Sequence, residues 1–191
     1  MFQTIFLALG VITAVPSEGT ENYKVDVASS TVEWVGEQIT KDHTGVVNLQ
    51  EGNLEISDGK LTGGSFVMDM TSITNTDLSG EWKEKLEGHL KSEDFFGVDK
   101  YPTASFDITK VKGKGQTYTV TGNFTVKGKT VELTFPVTLK NEGDNIVASA
   151  EFSFDRSKHD VRYGSDNFFD DLGDKAIYND VPLKVKLVAT K

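Results

Sequence analysis

Apolar and polar residues alternate with a period of two along most of the chain. The alternation occurs near residues 23–28, 32–34, 54–56, 66–70, 104–108, 118–126, 131–139, 148–154 and 181–187. A period of two places apolar side chains on one face and polar side chains on the other, which is typical of an antiparallel sheet covered on one side. The pattern therefore predicts about eight strands.

Short glycine-containing segments join many of these strands. They are SDGK (57–60), KGKG (112–115), KGK (127–129) and NEGDN (141–145), and each is typical of a hairpin turn. Sequential hairpins favour an up-and-down meander, and eight strands with one apolar face can close into a barrel that has no exposed edge. We predict an all-β, eight-stranded antiparallel barrel that forms one domain over residues 22–191.

Two stretches interrupt the alternation. The first, residues 71–100, contains a helical pattern near residues 80–90 and then the pair Phe95 and Phe96. The second, residues 157–180, is a long connection that carries a second pair, Phe168 and Phe169. Long connections in a compact domain are often functional, so we predict a short helix and a long loop at the barrel end.

The predicted inner face mixes large and small residues. The aromatic residues are Trp34, Phe66, Phe106, Phe124, Phe135, Phe152 and Phe154, and the small residues are Ala104, Gly122, Ala148 and Ala150. Such a mixture can interdigitate as a solid core, in which case the barrel would be a scaffold whose loops bind protein or glycan. It can also line a dry tunnel that holds a lipid or prenyl chain. Periodicity leaves both alternatives open.

Composition excludes several classes of function. A net charge of −9 argues against a nucleic-acid partner, and the absence of cysteine excludes disulfides and thiol chemistry. The three histidines, His43, His89 and His159, have no metal-site spacing and are expected in capping or surface roles. We therefore predict no catalytic residues, no metal and no enzymatic activity.

Four polar or charged positions lie where the last long connection begins. Asp155 and Arg156 end a predicted strand, and Arg162 and Tyr163 follow six residues later. An arginine near a barrel mouth can pin the loop, or it can donate hydrogen bonds to the head group of a ligand.

The first residues of the chain contain no charged side chain. Residues 1–15, MFQTIFLALGVITAV, are mostly apolar and shorter than the roughly 20 residues that span a bilayer. This pattern is typical of a secretory signal peptide, which we place at residues 1–17. An N-terminal strand or a weak membrane anchor is the alternative.

Five ordered motifs resemble the YceI-like polyisoprenoid-binding family. They are TGGSFVMDMTSI (62–73), DL (77–78), KLEGHLKSEDFFGVDKYPTASF (85–106), GNFTVKGKT (122–130) and FSFDRSKHDVRYGS (152–165). Together they extend the resemblance over most of the chain after residue 22. Where the family is expected to carry an aromatic residue, this chain has His159, and Phe124 stands where leucine is commoner.

The resemblance implies a lipocalin-like barrel that binds, sequesters or carries an isoprenoid quinone or polyprenyl chain without catalysis. It implies a channel lined by Trp34, Phe66, Met68, Phe95, Phe96, Phe106, Phe124, Phe135, Phe152, Phe154, Phe168 and Phe169. It further implies a bacterial periplasmic or secreted protein with no required cofactor. An apolar lipid is the expected partner, stable membrane insertion is not expected after signal removal, and homodimerisation is left open.

Overall fold

A computed structural model describes residues 19–191, so the predicted signal peptide lies outside the described residues. The strands are β1 (Glu21–Val25), β2 (Thr31–Glu37), β3 (Asp42–Ser57), β4 (Lys60–Asn75), β5 (Thr103–Lys114), β6 (Thr117–Val126), β7 (Lys129–Glu142), β8 (Asn145–Asp155) and β9 (Asp180–Thr190). One α-helix, α1 (Gly80–Lys91), lies between β4 and β5. None of the helices among the described residues has both the length and the apolar character needed to cross a membrane.

Strands β2 to β9 form a closed antiparallel barrel. Each of these strands pairs with the next along the chain, and β9 returns to pair with β2, so that Leu183 lies opposite Trp34 and Val185 opposite Val32. The predicted eight-stranded antiparallel barrel is therefore confirmed. Closure satisfies the edge groups of the sheet, which would otherwise be open to pairing with another chain.

The additional strand β1 continues the line of β2. Both are antiparallel to β3, with Tyr23 opposite Leu54 and Trp34 opposite Gly45. The predicted strand at 23–28 ends early because the Asp26 carboxylate accepts hydrogen bonds from the Ala28 amide and the Ser29 hydroxyl. Such a side-chain turn competes with strand pairing, and β1 and β2 together fill one strand position.

The predicted turns and the predicted helix are also present. Asp58 and Gly59, and likewise Lys127 and Gly128, have positive φ angles, as the tight hairpins joining their strands require. The predicted segment at 54–56 is the end of the 16-residue strand β3. The pattern did not predict the earlier part of β3, because register shifts between Val46 and Asn48 and between Leu49 and Glu51 interrupt the alternation.

Polar contacts attach α1 to the end of β4. The Glu87 carboxylate accepts a hydrogen bond from the Thr74 hydroxyl and one of 2.8 Å from the Asn75 amide. Asn75, which is fully buried, donates from Nδ2 to the Thr44 carbonyl and to Asp77, and accepts at Oδ1 from the Leu78 amide. Because strands alternate in direction, α1 and the long connection after β8 lie at the same end of the barrel, which we call the mouth.

The opposite end, formed by the β3–β4, β5–β6 and β7–β8 hairpins, is filled by buried side chains that do not border the interior cavity. They include Val25, Ile56, Tyr118, Leu139, Ile146 and Ala189. The barrel is thus closed at its hairpin end.

Candidate functional site

Between the closed end and the mouth, the barrel encloses a cavity of about 340 Å³. Ten of the predicted channel residues line it: Trp34, Phe66, Met68, Phe95, Phe96, Phe106, Phe124, Phe135, Phe152 and Phe154. The interior is therefore partly filled. Side chains pack the hairpin end, and the cavity occupies the part of the barrel towards the mouth. That these residues bind a ligand stays a prediction.

Phe168 and Phe169 do not line this cavity, and their assignment to the channel is corrected. They are 41% and 49% exposed. The backbone amides of both residues donate to the Ser165 carbonyl at 3.1 Å, so the connection forms a tight turn of its own on the surface. Arg162 lies over the Phe168 ring at 4.9 Å and pairs with Asp160 at the protein surface.

Aromatic rings form much of the cavity wall. Phe135 and Phe152 stack with centroids 3.8 Å apart and an interplanar angle of 3°, and Phe106 contacts Phe135 with a centroid distance of 5.2 Å. The ring of Phe106 also occupies the space above Gly122, where an added Cβ would lie 2.5 Å from its Cζ atom. Gly122 thus accommodates a ring and leaves no void, whereas Ala104, Ala148 and Ala150 do border the cavity.

At the mouth, helix α1 and the segment after it cover part of the opening. Phe95 is buried and Phe96 is partly buried, and both border the cavity. His89 stands edge-on to Phe95 and to Tyr163, with centroid distances of 5.3 and 4.3 Å. Trp82, which shares the helical spacing of Leu86 and Leu90, lies in the first turn of α1 and is 71% exposed.

Polar side chains of the cavity lining gather at this end. Gln38, His43, His89, Tyr163 and Tyr178 are all part of the lining. Sequence reasoning named only Tyr163 among them as a site residue. His89, which was expected in a capping or surface role, follows Leu86 by three residues, and this helical spacing is the signal that could have placed it on the inner face of α1. Nothing in the pattern marks Gln38 or Tyr178.

Arg156 holds the long connection in place. Its guanidinium donates to the carbonyl oxygens of four residues, at 3.0 Å to Tyr178, 2.8 Å to Val161, 2.9 Å to Tyr163 and 2.8 Å to Ile177. Burial lowers its pKa to about 10, so the side chain is still cationic at neutral pH. Asp155 accepts hydrogen bonds from the amide and hydroxyl of Ser157 and starts the 3₁₀ turn Arg156–His159. The loop-pinning role is therefore present in the structure.

His159 is fully buried, which corrects the expectation of a capping or surface role. Its Nδ1 atom lies 2.9 Å from the Lys129 carbonyl, and its ring packs edge-on against Phe124 and Phe154. Burial lowers its pKa, which favours the neutral ring. His43 instead pairs with Asp77 at 2.8 Å. Across residues 19–191, no three histidine or acidic side chains are grouped so as to hold a metal ion.

A closed antiparallel barrel with an apolar cavity opening at one end defines a class of proteins that hold a small apolar ligand inside the barrel. The chain matches the YceI-like domain over residues 23–189 and belongs to that family. The family is known for binding proteins rather than enzymes, and its fold supports a lipid-binding barrel as the general class.

Individual relatives agree with this assignment. The UPF0312 protein plu2095 of Photorhabdus laumondii is 30% identical over 176 residues, which cover 89% of this chain and 88% of the relative. The crystal structure of BcnA from Burkholderia cenocepacia shares 26% identity with a TM-score of 0.72, covering 87% of this chain and 99% of BcnA. A polyisoprenoid-binding domain from Saccharophagus degradans, implicated in plant cell wall breakdown, has the same fold at 14% identity and a TM-score of 0.65, covering 88% of this chain and 97% of that domain.

Proposed function

We propose that the protein binds one long apolar chain, an isoprenoid quinone or polyprenyl lipid, inside the barrel and sequesters or carries it without chemical change. The observation that carries this proposal is the cavity itself, which is walled by aromatic and aliphatic side chains and borders half-exposed tyrosines at the mouth. The polyisoprenoid-binding domain of Saccharophagus degradans has the same fold and supports an isoprenoid as the ligand.

The free energy of binding favours a carrier that can also release its ligand. Burying an isoprenoid chain is worth about 0.8 kcal/mol per carbon relative to water, or about 4 kcal/mol per five-carbon unit. The competing environment is a bilayer, where the chain is already out of water. Transfer between membrane and barrel is then nearly balanced, so the fit of the cavity and contacts to the head group decide which lipid is held.

Solvent extraction of the purified protein, followed by mass spectrometry, tests the proposal. We expect a long-chain isoprenoid in stoichiometric amount. Ala150→Phe, which fills part of the cavity from β8, should lower the occupancy. Ser153→Phe adds the same ring on the exposed face of β8 and should leave the occupancy unchanged. A protein that is empty and cannot be loaded with any isoprenoid would overturn the proposal.

We also propose that the protein is exported to the periplasm or secreted, with residues 1–17 removed as a signal peptide. The uncharged, mostly apolar N-terminal sequence supports this. N-terminal sequencing of the protein from a periplasmic fraction should begin after residue 17, and a chain that still begins at Met1 would contradict the proposal. Light scattering of the same sample measures whether a homodimer forms.

A further inference from the structure

The large apolar side chains that stay exposed are concentrated at one end of the barrel. Within residues 19–191, seven of them are at least 41% exposed, and six of the seven lie at the mouth. The six are Ile39, Trp82, Tyr163, Phe168, Phe169 and Tyr178. Single exposed apolar residues are ordinary on any protein surface, but their concentration at one end indicates an interaction surface.

Four of these side chains adjoin the opening of the cavity, and the other two belong to the surface turn at Ser165. We call the four the apolar rim: Ile39, Trp82, Tyr163 and Tyr178. The two tyrosines border the cavity themselves. Ile39 follows Gln38, which borders the cavity from the turn between β2 and β3, and Trp82 lies on the helical face of Leu86, which borders it from α1. Whatever covers the apolar rim therefore also covers the opening.

The charge around the apolar rim is negative. Residues 161–178, which carry both of its tyrosines, contain four exposed aspartates against one arginine and one lysine. The arginine, Arg162, pairs with Asp160 at 2.6 Å. Exposed carboxylates repel an anionic lipid surface until salt screens them, whereas the ammonium group of phosphatidylethanolamine can lie beside them. The charge thus favours a bilayer surface without net negative charge.

Transfer of the proposed ligand through water would be very slow. Each carbon that enters water lowers the rate about fourfold, so a chain of about twenty carbons would be slowed about 10¹²-fold. A protein that loads or releases such a chain therefore needs its cavity to meet the bilayer directly. The apolar rim is in the right place for that contact, because it adjoins the opening.

We propose that the apolar rim docks the protein reversibly on a bilayer rich in phosphatidylethanolamine, so that the cavity opens onto the lipid. The inference rests on the proposed function and adds a partner that this function does not specify. Tryptophan and tyrosine rings suit the level of the lipid head groups, where one part of the ring is in apolar surroundings and the other is in water. Four side chains among charged neighbours give a shallow contact.

A second copy of the chain is a poorer partner for the apolar rim. Dimers are mostly two-fold symmetric, so that the same surface of each subunit meets its copy. Such a contact would bring the two acidic connections face to face, and like charges across an interface oppose association. The observations therefore favour a bilayer over self-association.

Flotation of the purified protein with vesicles measures the docking. With an equal mixture of phosphatidylethanolamine and phosphatidylcholine, we expect a floating fraction well above that in buffer. When phosphatidylglycerol replaces the phosphatidylethanolamine, the fraction should fall, and added salt should narrow the difference because it screens the carboxylates. Binding to the anionic vesicles alone would contradict the proposal.

Trp82 supplies a direct readout of the contact. The chain has two tryptophans, of which Trp34 is buried inside the barrel and Trp82 is exposed. Phospholipids that are brominated along the acyl chains should quench the emission of Trp82 on docking. The quenching should be lost in Trp82→Phe, where only Trp34 emits. Quenching that persists in full in this variant would show that Trp82 does not meet the bilayer, and the proposal would be wrong.

A double variant separates the apolar rim from the cavity. Ile39 and Trp82 do not border the cavity, so Ile39→Ser combined with Trp82→Ser should leave isoprenoid loading unchanged. It should lower the affinity for the vesicles about tenfold. Val27→Ser is the control, because Val27 is the seventh exposed apolar residue and lies between β1 and β2, away from the mouth. This variant should float as the parent protein does.

The outcomes distinguish the docking surface from the proposed function. If the double variant floats as the parent does, or if no protein floats, the docking surface is wrong, and recovery of an isoprenoid by extraction keeps the proposed function. If the protein docks through the apolar rim and holds no lipid, the proposed function fails and the docking surface stands. If the double variant dissociates a homodimer and leaves flotation unchanged, the apolar rim binds a second copy and the proposal is wrong.

Discussion

The indole of Trp34 lies against Gly45, the residue directly opposite it in the pairing of β2 with β3. A Cβ atom at position 45 would overlap with the indole, lying 2.5 Å from its Cε2 atom, and would also overlap with the Thr74 carbonyl oxygen. The absence of a side chain at Gly45 thus lets a large ring lie flat on the barrel wall. The ring of Phe106 lies over Gly122 in the same way. In both pairs the glycine leaves room for the ring at the wall, so that the ring does not fill the cavity.

Gly45→Ala should therefore destabilise the protein. The added methyl group must displace the indole and also strain the backbone of β4, and overpacking of this kind costs about 1–3 kcal/mol. Urea denaturation measures the loss. Gly36→Ala is the matched control, because its Cβ would lie 3.7 Å from the same indole, an ordinary contact. Equal stability of the two variants would show that the wall around Trp34 is not tightly packed.

Phe95→Ala should weaken the closure of the mouth. Phe95 is 7% exposed and contacts His89, Phe96 and Tyr163, so its truncation should cost about 3–5 kcal/mol. It should also speed the exchange of a bound lipid with vesicles. Thermal denaturation and a lipid-transfer assay measure the two effects.

Phe169→Ala is the control for the variant at Phe95. Phe169 is 49% exposed and does not border the cavity, and surface substitutions usually change stability by no more than about 0.5 kcal/mol. If both variants exchange lipid at the rate of the parent protein, the segment after α1 does not limit access to the cavity.

The sequence predicted the architecture because the period of two and the hairpin glycines are local signals. The helical pattern near residues 80–90, which predicted α1, is also a local signal. The sequence did not reveal the first half of β3, where bulges break the period. It also misplaced Phe168 and Phe169, since the turn at Ser165 depends on hydrogen bonds that apolar spacing does not encode.

Whether the barrel is hollow could not be predicted from the alternation. The alternation of apolar and polar residues is the same whether the ring of Phe106 fills the centre of the barrel or lies over Gly122. That choice depends on which residues face each other across neighbouring strands, and the register is settled only when the whole barrel closes. Likewise, the carbonyls around Arg156 come from residues 161–178, and no local motif marks them as partners.

Asp77 should stabilise the protein down to strongly acidic pH. Burial opposes its ionisation, but hydrogen bonds from the Thr44 amide, His43 and Asn75 outweigh burial and lower its pKa to about 2 from 3.8. A lowered carboxylate pKa contributes stability that is complete above the unfolded value and is lost as pH falls through the folded value. The loss should therefore occur between about pH 4 and 2, where thermal melts of the protein and of Asp77→Asn should converge. Melting curves that stay a constant distance apart from pH 5 to 2 would contradict this role.

His159 should make the protein less stable in mild acid. Burial lowers its pKa below 6.5, and this outweighs the opposing effects of the Lys129 carbonyl and the Asp155 carboxylate, while Lys158 adds to the lowering. The folded state then binds the proton less tightly than the unfolded chain. Stability is complete above pH 6.5 and is lost as pH falls, by at most about 1.4 kcal/mol per pH unit for one proton.

The comparison that isolates His159 is the slope of unfolding free energy between pH 7 and 5. His159→Phe keeps an aromatic ring against Phe124 and Phe154 and removes the titrating group, so its slope should be shallower whatever its stability at pH 7. His89→Phe serves as the control, because His89 lies at the mouth and is partly exposed. If His159→Phe retains the full slope of the parent protein, protonation elsewhere causes the acid sensitivity.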